Sequence, residues 1–282
     1  MTRPARARID AEIAAAKTRL RELEELADEF APTPENDIPV NLPQFLGEPA
    51  TDFEWLLGGE IAKGTIGLLM GEPKQGKTTL AVQLSLSIAA GKDFLGRYVY
   101  QTRVLYLAAE GARGAFQSRV RTAATTLGVE DSAVTWHVQP HGFTDFVLTG
   151  SKFRRLIDRS RAGFVVLDTY PLFAQQPYNV DDASEWLSKI LLPLRHITID
   201  TGCTFLLVHH MGKGGDKTGW KKVLGTTRQF GDTDFFWRFE AHDEEPTQRV
   251  LYVDGNKYAE AADPTVLEFR KKEAAYSVVG WG

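Results

Sequence analysis

The sequence predicts an α/β fold: a central, mostly parallel sheet flanked by helices, with antiparallel strands toward the C-terminus and a separate N-terminal helix. Three observations predict it. The runs 68–70, 104–107, 164–167 and 205–208 are apolar without polar alternation, as strands buried on both faces are. Stretches with helical periodicity separate these runs, so the strands need crossover connections and lie parallel. After residue 230, strand-like runs follow one another with no long helix between them, and such short connections make antiparallel pairs.

The bulk numbers set limits on function. A chain of 282 residues holds one large domain, or one domain with small extensions. Hydrophobic residues are 43% and charged residues 25%, ordinary for a globular protein. The net charge of −4 and a pI near 5.9 argue against a surface that coats nucleic acid everywhere, and leave room for a local cationic loop. The one cysteine, Cys203, precedes an apolar strand-like run. It reads as a small core residue in a reducing compartment. No apolar run is long enough to span a membrane. Arg3, Arg6 and Arg8 are not followed by an apolar signal core, and Asp10 and Glu12 interrupt a transit-peptide pattern. The expectation is a cytoplasmic protein without a membrane partner.

Taken in order, residues 1–30 read as a heptad helix. Ile9, Ile13, Ala16, Leu20, Leu23, Ala27 and Phe30 alternate at spacings of four and three, an a/d seam. It serves self-association or a partner, or it packs on its own domain. Residues 31–52 form a linker: Pro32, Pro34, Pro39, Pro43 and Pro49 are spaced too closely for helix to persist. It is an extended arm or a tether. The core is expected over 53–282. Strands are predicted at 65–70, 103–108, 134–138, 164–167 and 204–208. Helices are predicted at 77–90 (amphipathic, stopped by Gly91), 114–127, 153–161 and 183–198. Strands are expected again at 235–240, 248–254, 265–270 and 276–279.

Gly71, Glu72, Pro73, Lys74, Gln75, Gly76, Lys77 and Thr78 fit G-x-x-x-x-G-K-[ST], with Thr79 following. A chance match in a chain this long is on the order of 1%. The motif also lies between a predicted strand and a predicted helix, as a phosphate-binding loop requires. Glycines let the backbone turn tightly and aim N–H groups at phosphates. The helix N-terminus adds free N–H groups and a positive dipole. Lys77 brings a full charge to the β/γ oxygens, and Thr78 a hydroxyl to Mg²⁺. ATP and Mg²⁺ are therefore the expected ligands.

Two acids end neighbouring predicted strands. Asp168 stands at a strand's carboxyl end, where open α/β sheets bind ligands, and is the candidate metal residue beside Thr78. Glu110 is the candidate for polarising the attacking water. His209 and His210 end a third strand. Adjacent strand residues point to opposite faces, so they do not share one ion. One of the two is expected to sense the γ-phosphate.

The motifs at 71–79, 104–111, 165–169 and 207–214, with Phe94-Leu95-Gly96-Arg97, resemble the RecA-like P-loop ATPases of the RepA hexameric helicase type. Those occur widely in plasmids, phages and mobile elements. The resemblance covers residues 53–270. It implies a RecA-like P-loop NTPase core, Glu110 as the water-activating acid and Asp168 as the Walker B acid. It also implies a ring or filament, a hexamer being favoured, with ATP between subunits and a basic finger supplied in trans. Arg228 and Lys257 are the candidates for that finger. At 257 the match departs from a lysine/arginine pair, since Tyr258 and Ala259 follow.

In RecA-like motors the loops after the Walker B and sensor strands face the channel. Residues 211–222 hold Lys213, Lys217, Lys221 and Lys222 with Trp220. The lysines suit phosphates and the tryptophan suits a base, as for single-stranded DNA. The alternative is a solvated basic loop. No helix-turn-helix, finger or basic zipper is present, so sequence-specific readout is not indicated. The expectation is a DNA-dependent ATPase of replication or recombination, helicase-like or recombinase-like. The alternative is a regulatory ATPase switch acting on protein partners. A small-molecule kinase is disfavoured, because no arginine-rich lid follows the phosphate-binding helix.

Overall fold

The computed structural model describes residues 41–47, 54–129, 134–138, 147–148, 150–174, 176–210, 228–260 and 262–281, with Ile13, Lys17 and Arg19 described singly as helical. The chain divides into two compact units, Met1–Asp52 and Phe53–Gly282.

In the first unit, residues expected to be non-helical form a short helix, α1 (Leu42–Gly47). Asn41 Oδ1 accepts from the Gln44 N–H at 3.0 Å, so Asn41 caps the helix. Pro43 falls in the first turn, where its missing N–H removes no helical bond. The proline therefore starts the helix instead of breaking it.

The second unit begins with a small antiparallel pair, β1 (Trp55–Leu57) and β2 (Ile61–Ala62). Its main elements, in chain order, are β3 (Ile66–Gly71), α2 (Lys77–Ala90), β4 (Val104–Ala108), α3 (Arg113–Leu127), β5 (Val134–Val138), α4 (Ser151–Ser160) and β6 (Phe164–Asp168). They continue with a 3₁₀ turn (Tyr170–Phe173), α5 (Ala183–Trp186), α6 (Leu192–Thr201), β7 (Thr204–His210) and α7 (Arg228–Asp232). Four strands end the unit: β8 (Phe235–Ala241), β9 (Gln248–Asn256), β10 (Thr265–Arg270) and β11 (Ala275–Trp281). One nine-stranded sheet runs in the order β11-β10-β9-β8-β3-β7-β6-β4-β5. The six strands from β8 to β5 are parallel to one another. β9, β10 and β11 are antiparallel additions. This is the mostly parallel sheet with antiparallel C-terminal strands that the buried runs and the short C-terminal connections predict.

Alternation along the strands sorts the core into two layers. Val104, Tyr106, Phe164, Val166, Leu206 and Val208 pack on the side of α2 and α3. Leu105, Leu107, Val165, Leu167, Phe205 and Leu207 pack on the side of α4 and α6. The expected amphipathic character of α2 is not found: 12 of its 14 residues are buried. Trp237, Phe239, Leu251, Leu267 and Tyr276 from the C-terminal strands join its core layer. A helix covered on most sides is apolar on most sides. Gly91 ends it in a left-handed conformation, φ 66°, which glycine adopts without steric cost.

The helix expected over 183–198 is interrupted. Leu187–Leu191 form a π turn between α5 and α6. Pro193 has no N–H for the carbonyl of Lys189, and its ring crowds that carbonyl. Widening to the π pattern accommodates both defects.

The start of β3 is fastened by one buried carboxylate. Asp234, 2% exposed in its side chain, accepts from the Ile66 N–H at 2.9 Å. Arg195 grips both its oxygens, at 2.5 and 2.7 Å, and Lys257 approaches at 3.3 Å. Replacing Asp234 with alanine leaves a partly buried guanidinium and a buried N–H without their acceptor. Urea unfolding of Asp234→Ala is expected to show a loss of about 3 kcal/mol; a loss below about 0.5 kcal/mol would refute this role for the carboxylate.

Candidate functional site

Strand alternation also decides which polar residues meet. Tyr106, Asp168 and His210 share the parity of the residues facing α2, and Glu110 continues the same parity past the end of β4. Tyr106 lies at the middle of β4, and Asp168, His210 and Glu110 lie at or just beyond the carboxyl ends of β6, β7 and β4. A cavity of about 320 Å³ opens there, lined by Lys74, Gly76, Lys77, Thr78, Thr79, Glu110, Arg119, Asp168 and His210.

Lys77, the first residue of α2, is 4% exposed. Its ammonium donates to the carbonyls of Gly71 at 2.7 Å and Glu72 at 2.8 Å. It also lies 3.2 Å from His210 Nδ1. Burial lowers its pKa to about 8, opposed by the charges of Asp168, Glu110 and Glu72. A half-desolvated cation of this kind gains much from an anion brought to it.

The two acids are driven in opposite directions. Asp168 is 5% exposed, and burial raises its pKa. The Tyr106 hydroxyl donates to its Oδ2 at 2.7 Å, and the nearby Thr78 hydroxyl acts in the same direction; both favour the ionised form. Glu110 is held below the usual carboxylate range, chiefly by its polar contact with His210 and also by the Thr169 hydroxyl. Thr169 Oγ1 donates to Glu110 Oε1 at 2.9 Å. His210 Nε2 stands 3.6 Å from Glu110 Oε2, longer than a direct hydrogen bond. With Nδ1 facing an ammonium and Nε2 facing a carboxylate, the network assigns the proton to Nε2. His210 thus spans Lys77 and Glu110.

The donor set fits the expected ligands. The Thr78 hydroxyl and the Asp168 carboxylate are adjacent hard oxygen donors, suited to Mg²⁺. Among the described residues no group of three or more His, Cys, Asp or Glu forms a metal cage. Mg²⁺ held by few protein oxygens together with substrate phosphates needs none. Gly76, Lys77, Thr78 and Thr79 present the N-terminus of α2 to the same space, as phosphate binding requires.

Other expected residues are placed elsewhere. His209 points to the opposite face, 5% exposed, with its ring 4.8 Å from that of Tyr170; it does not line the cavity. The alternation of β7 divides the pair, leaving His210 alone beside the phosphate loop. Of the motif, Glu72 contributes its carbonyl to Lys77, and Pro73 is exposed. Gln75 offers its carbonyl outward to Arg249 and Tyr276. Lys257 pairs with Asp234 and Arg228 with Asp232 at 3.4 Å; neither lines the cavity of its own subunit. Lys213, Lys217, Trp220, Lys221 and Lys222 lie outside the described residues, as does nearly all of 1–30. One lining residue, Arg119, was not anticipated. It follows Phe116 by three positions and precedes Ala123 by four, and both of those are buried. That inner stripe of α3 is the signal that exposes it.

A family model described as an AAA domain matches residues 32–216. The chain belongs to this family. An AAA-domain chain of RecA-like fold binds and hydrolyses nucleoside triphosphates. The DNA repair protein RadA of Bacillus subtilis (strain 168) is 24% identical over 226 residues, 78% of this chain and 42% of the relative. This AAA-domain chain therefore spans less than half the length of that curated relative. Among solved structures, a DnaB-like replicative helicase, described with its interactions with primase, superposes with TM-score 0.61 at 12% identity, over 97% of this chain and 75% of that one. A KaiC-like protein of Pyrococcus horikoshii OT3 superposes with TM-score 0.55 at 15% identity, over 80% and 94%. The RadB recombinase gives 0.51 at 17%, over 77% and 92%. At these identities the likeness is one of fold.

Tyr106→Phe keeps the ring, which packs against Phe116 and Trp136, and removes one donor from a buried carboxylate. Chemical denaturation at neutral pH is expected to show a loss of about 2 kcal/mol. An unchanged midpoint would mean that the bond to Asp168 contributes nothing to the fold.

Proposed function

We propose that this chain hydrolyses ATP with Mg²⁺ and couples hydrolysis to single-stranded DNA, as a helicase-like or recombinase-like motor in a ring or filament, a hexamer being favoured. One observation carries this reading. His210 touches both Lys77 and Glu110, and the next residues in sequence are the lysine- and tryptophan-bearing segment 211–222. A change at the phosphates is thereby passed to a cationic segment one peptide bond away.

In this reading Lys77 meets the β/γ oxygens, and residues 71–79 cradle the phosphates. Thr78 and Asp168 hold Mg²⁺, which when bound neutralises charge developing on the phosphates. The Glu110 carboxylate, kept ionised by His210 and Thr169, orients a water and accepts its proton. Lys213, Lys217, Lys221 and Lys222 neutralise DNA phosphates, and Trp220 stacks on a base. Arg228 or Lys257 reaches the nucleotide of a neighbouring subunit. Residues 1–30 contact another subunit or a partner, 31–52 link, and 53–282 form the ATPase core. The names of the RadA, DnaB-like and RadB relatives support work on DNA.

Steady-state ATP hydrolysis with and without single-stranded DNA tests both halves, with Lys77→Ala as the blank. DNA is expected to stimulate turnover about tenfold, a barrier change of about 1.4 kcal/mol. The joint change of Lys217, Lys221 and Lys222 to alanine should abolish the stimulation and leave basal turnover intact. Hydrolysis indifferent to DNA would overturn the motor reading and leave a nucleotide switch that acts on protein partners. Separately, Glu110→Gln is expected to lower kcat by about 10²–10⁴ while nucleotide affinity stays within about threefold; equal turnover in the variant would remove Glu110 from the chemistry.

A further inference from the structure

The phosphate loop is fastened from far along the chain. The Gln75 carbonyl accepts two hydrogen bonds, from the Tyr276 hydroxyl at 3.2 Å and from Arg249 Nε at 3.1 Å. Gln83, buried on α2, joins the backbone of Tyr276 in both directions. Its Nε2 donates to Tyr276 O at 3.0 Å, and its Oε1 accepts from Tyr276 N at 2.8 Å. The Tyr276 ring is wedged between Phe239 and Phe269, with centroids 5.3 and 5.2 Å away. Burial pushes the phenol up to about 12, so it remains a donor at any working pH. Arg249 is itself anchored, with Nη1 donating to the carbonyls of Pro246 and Gln248.

The fit around the loop is close. A Cβ on Gly76 would lie 1.9 Å from the Tyr276 hydroxyl, and one on Gly71 would lie 2.2 Å from the Phe239 carbonyl. Gly76 also has φ +101°. Both motif glycines are therefore demanded by β8 and β11 before any phosphate is considered.

The orientation has a direct consequence. In a planar trans peptide the C=O and the following N–H point in opposite directions. Holding the Gln75 carbonyl toward β9 and β11 turns the Gly76 N–H the other way, toward the cavity that Gly76 and Lys77 line. We propose that Tyr276 and Arg249 are positioning residues for nucleotide binding, which preset the Gly76 N–H for phosphate by gripping the Gln75 carbonyl. Both residues lie beyond the matched segment 32–216. The proposal rests on the phosphate-site reading and is independent of the DNA reading.

The test is titration of the full chain with a fluorescent ADP analogue, alongside steady-state ATPase kinetics. The variants are Tyr276→Phe, Arg249→Met and the double change. Each single variant should raise Kd for the analogue and KM for ATP about fivefold, the worth of one net hydrogen bond. The double variant should do so more strongly. Turnover should stay within about twofold, and the nucleotide-free unfolding midpoint within about 2 °C. Arg249→Met sits at a partly exposed position and keeps the test alive should Tyr276→Phe fold poorly. Unchanged Kd in the double variant overturns the proposal. So does a weaker Kd explained by a matching fall in the unfolding midpoint, which marks a merely structural contact. Wild-type protein that fails to bind the analogue overturns the phosphate-site reading itself and this proposal with it; wild-type binding matched by the variants overturns this proposal alone.

Discussion

A β-strand sends alternate side chains to opposite faces, and the rest of this site depends on that constraint. In β4, β6 and β7 the even-numbered residues face α2. Each of these strands is an apolar run with a polar residue of the same parity at or just beyond its carboxyl end: Glu110, Asp168 and His210. Parallel register aligns those ends, since Ala108 pairs with Asp168 and Asp168 with Val208. Polar groups that no local motif joins thus converge on one cavity. Moving any of these residues one position along its strand would send it into the layer under α4 and α6, which is where His209 goes.

The convergence is costly, and the costs are arranged to offset one another. Lys77 and Asp168 are both nearly buried, and each is penalised for its charge. Each is also given specific partners: two carbonyls and an imidazole for the ammonium, the Tyr106 hydroxyl for the carboxylate. Glu110, half exposed, is not penalised overall. It ends more acidic than an ordinary glutamate, through the contact with His210. Two carboxylates in one cavity thereby acquire different characters from their surroundings. One is dry and fixed beside Thr78. The other is wet, ionised and open to a water.

Much of this was legible in the sequence, for physical reasons that can be named. Buried parallel strands must be apolar throughout, so β3, β4, β6 and β7 announce themselves. The phosphate loop carries its own spacing, and Asp168, Glu110 and the pair His209 and His210 follow from strand ends, although the choice of His210 over His209 comes from the structure. What escaped was either too short or too distant. β1 and β2 are three and two residues long, below the length at which a period shows. α1 was hidden because Pro43 reads as a breaker unless its first-turn position is known. The π turn at Leu187–Leu191 follows from Pro193, but a helical period alone does not display it. Arg119 needed the inner stripe of α3 to be recognised first. Tyr276 and Arg249 approach Gln75 across sequence separations of 201 and 174 residues, which no local pattern encodes.

The fold and the phosphate loop place different demands on the sequence. At 12% to 17% identity the sheet and its crossovers persist, because many apolar sequences satisfy the same alternation. A phosphate loop has a stricter requirement: its peptide groups must be aimed before the ligand arrives, since an unaimed N–H must be reoriented at the expense of binding. The motif supplies the permissive glycines, and permissiveness alone leaves the loop free to turn either way. In this chain the antiparallel strands β9 to β11 remove that freedom. Together with β8 they cover α2, fill the space over Gly71 and Gly76, and hold the carbonyl whose direction fixes the next N–H. The C-terminal strands are therefore part of the nucleotide site as fully as the loop itself, although they carry none of its recognisable sequence.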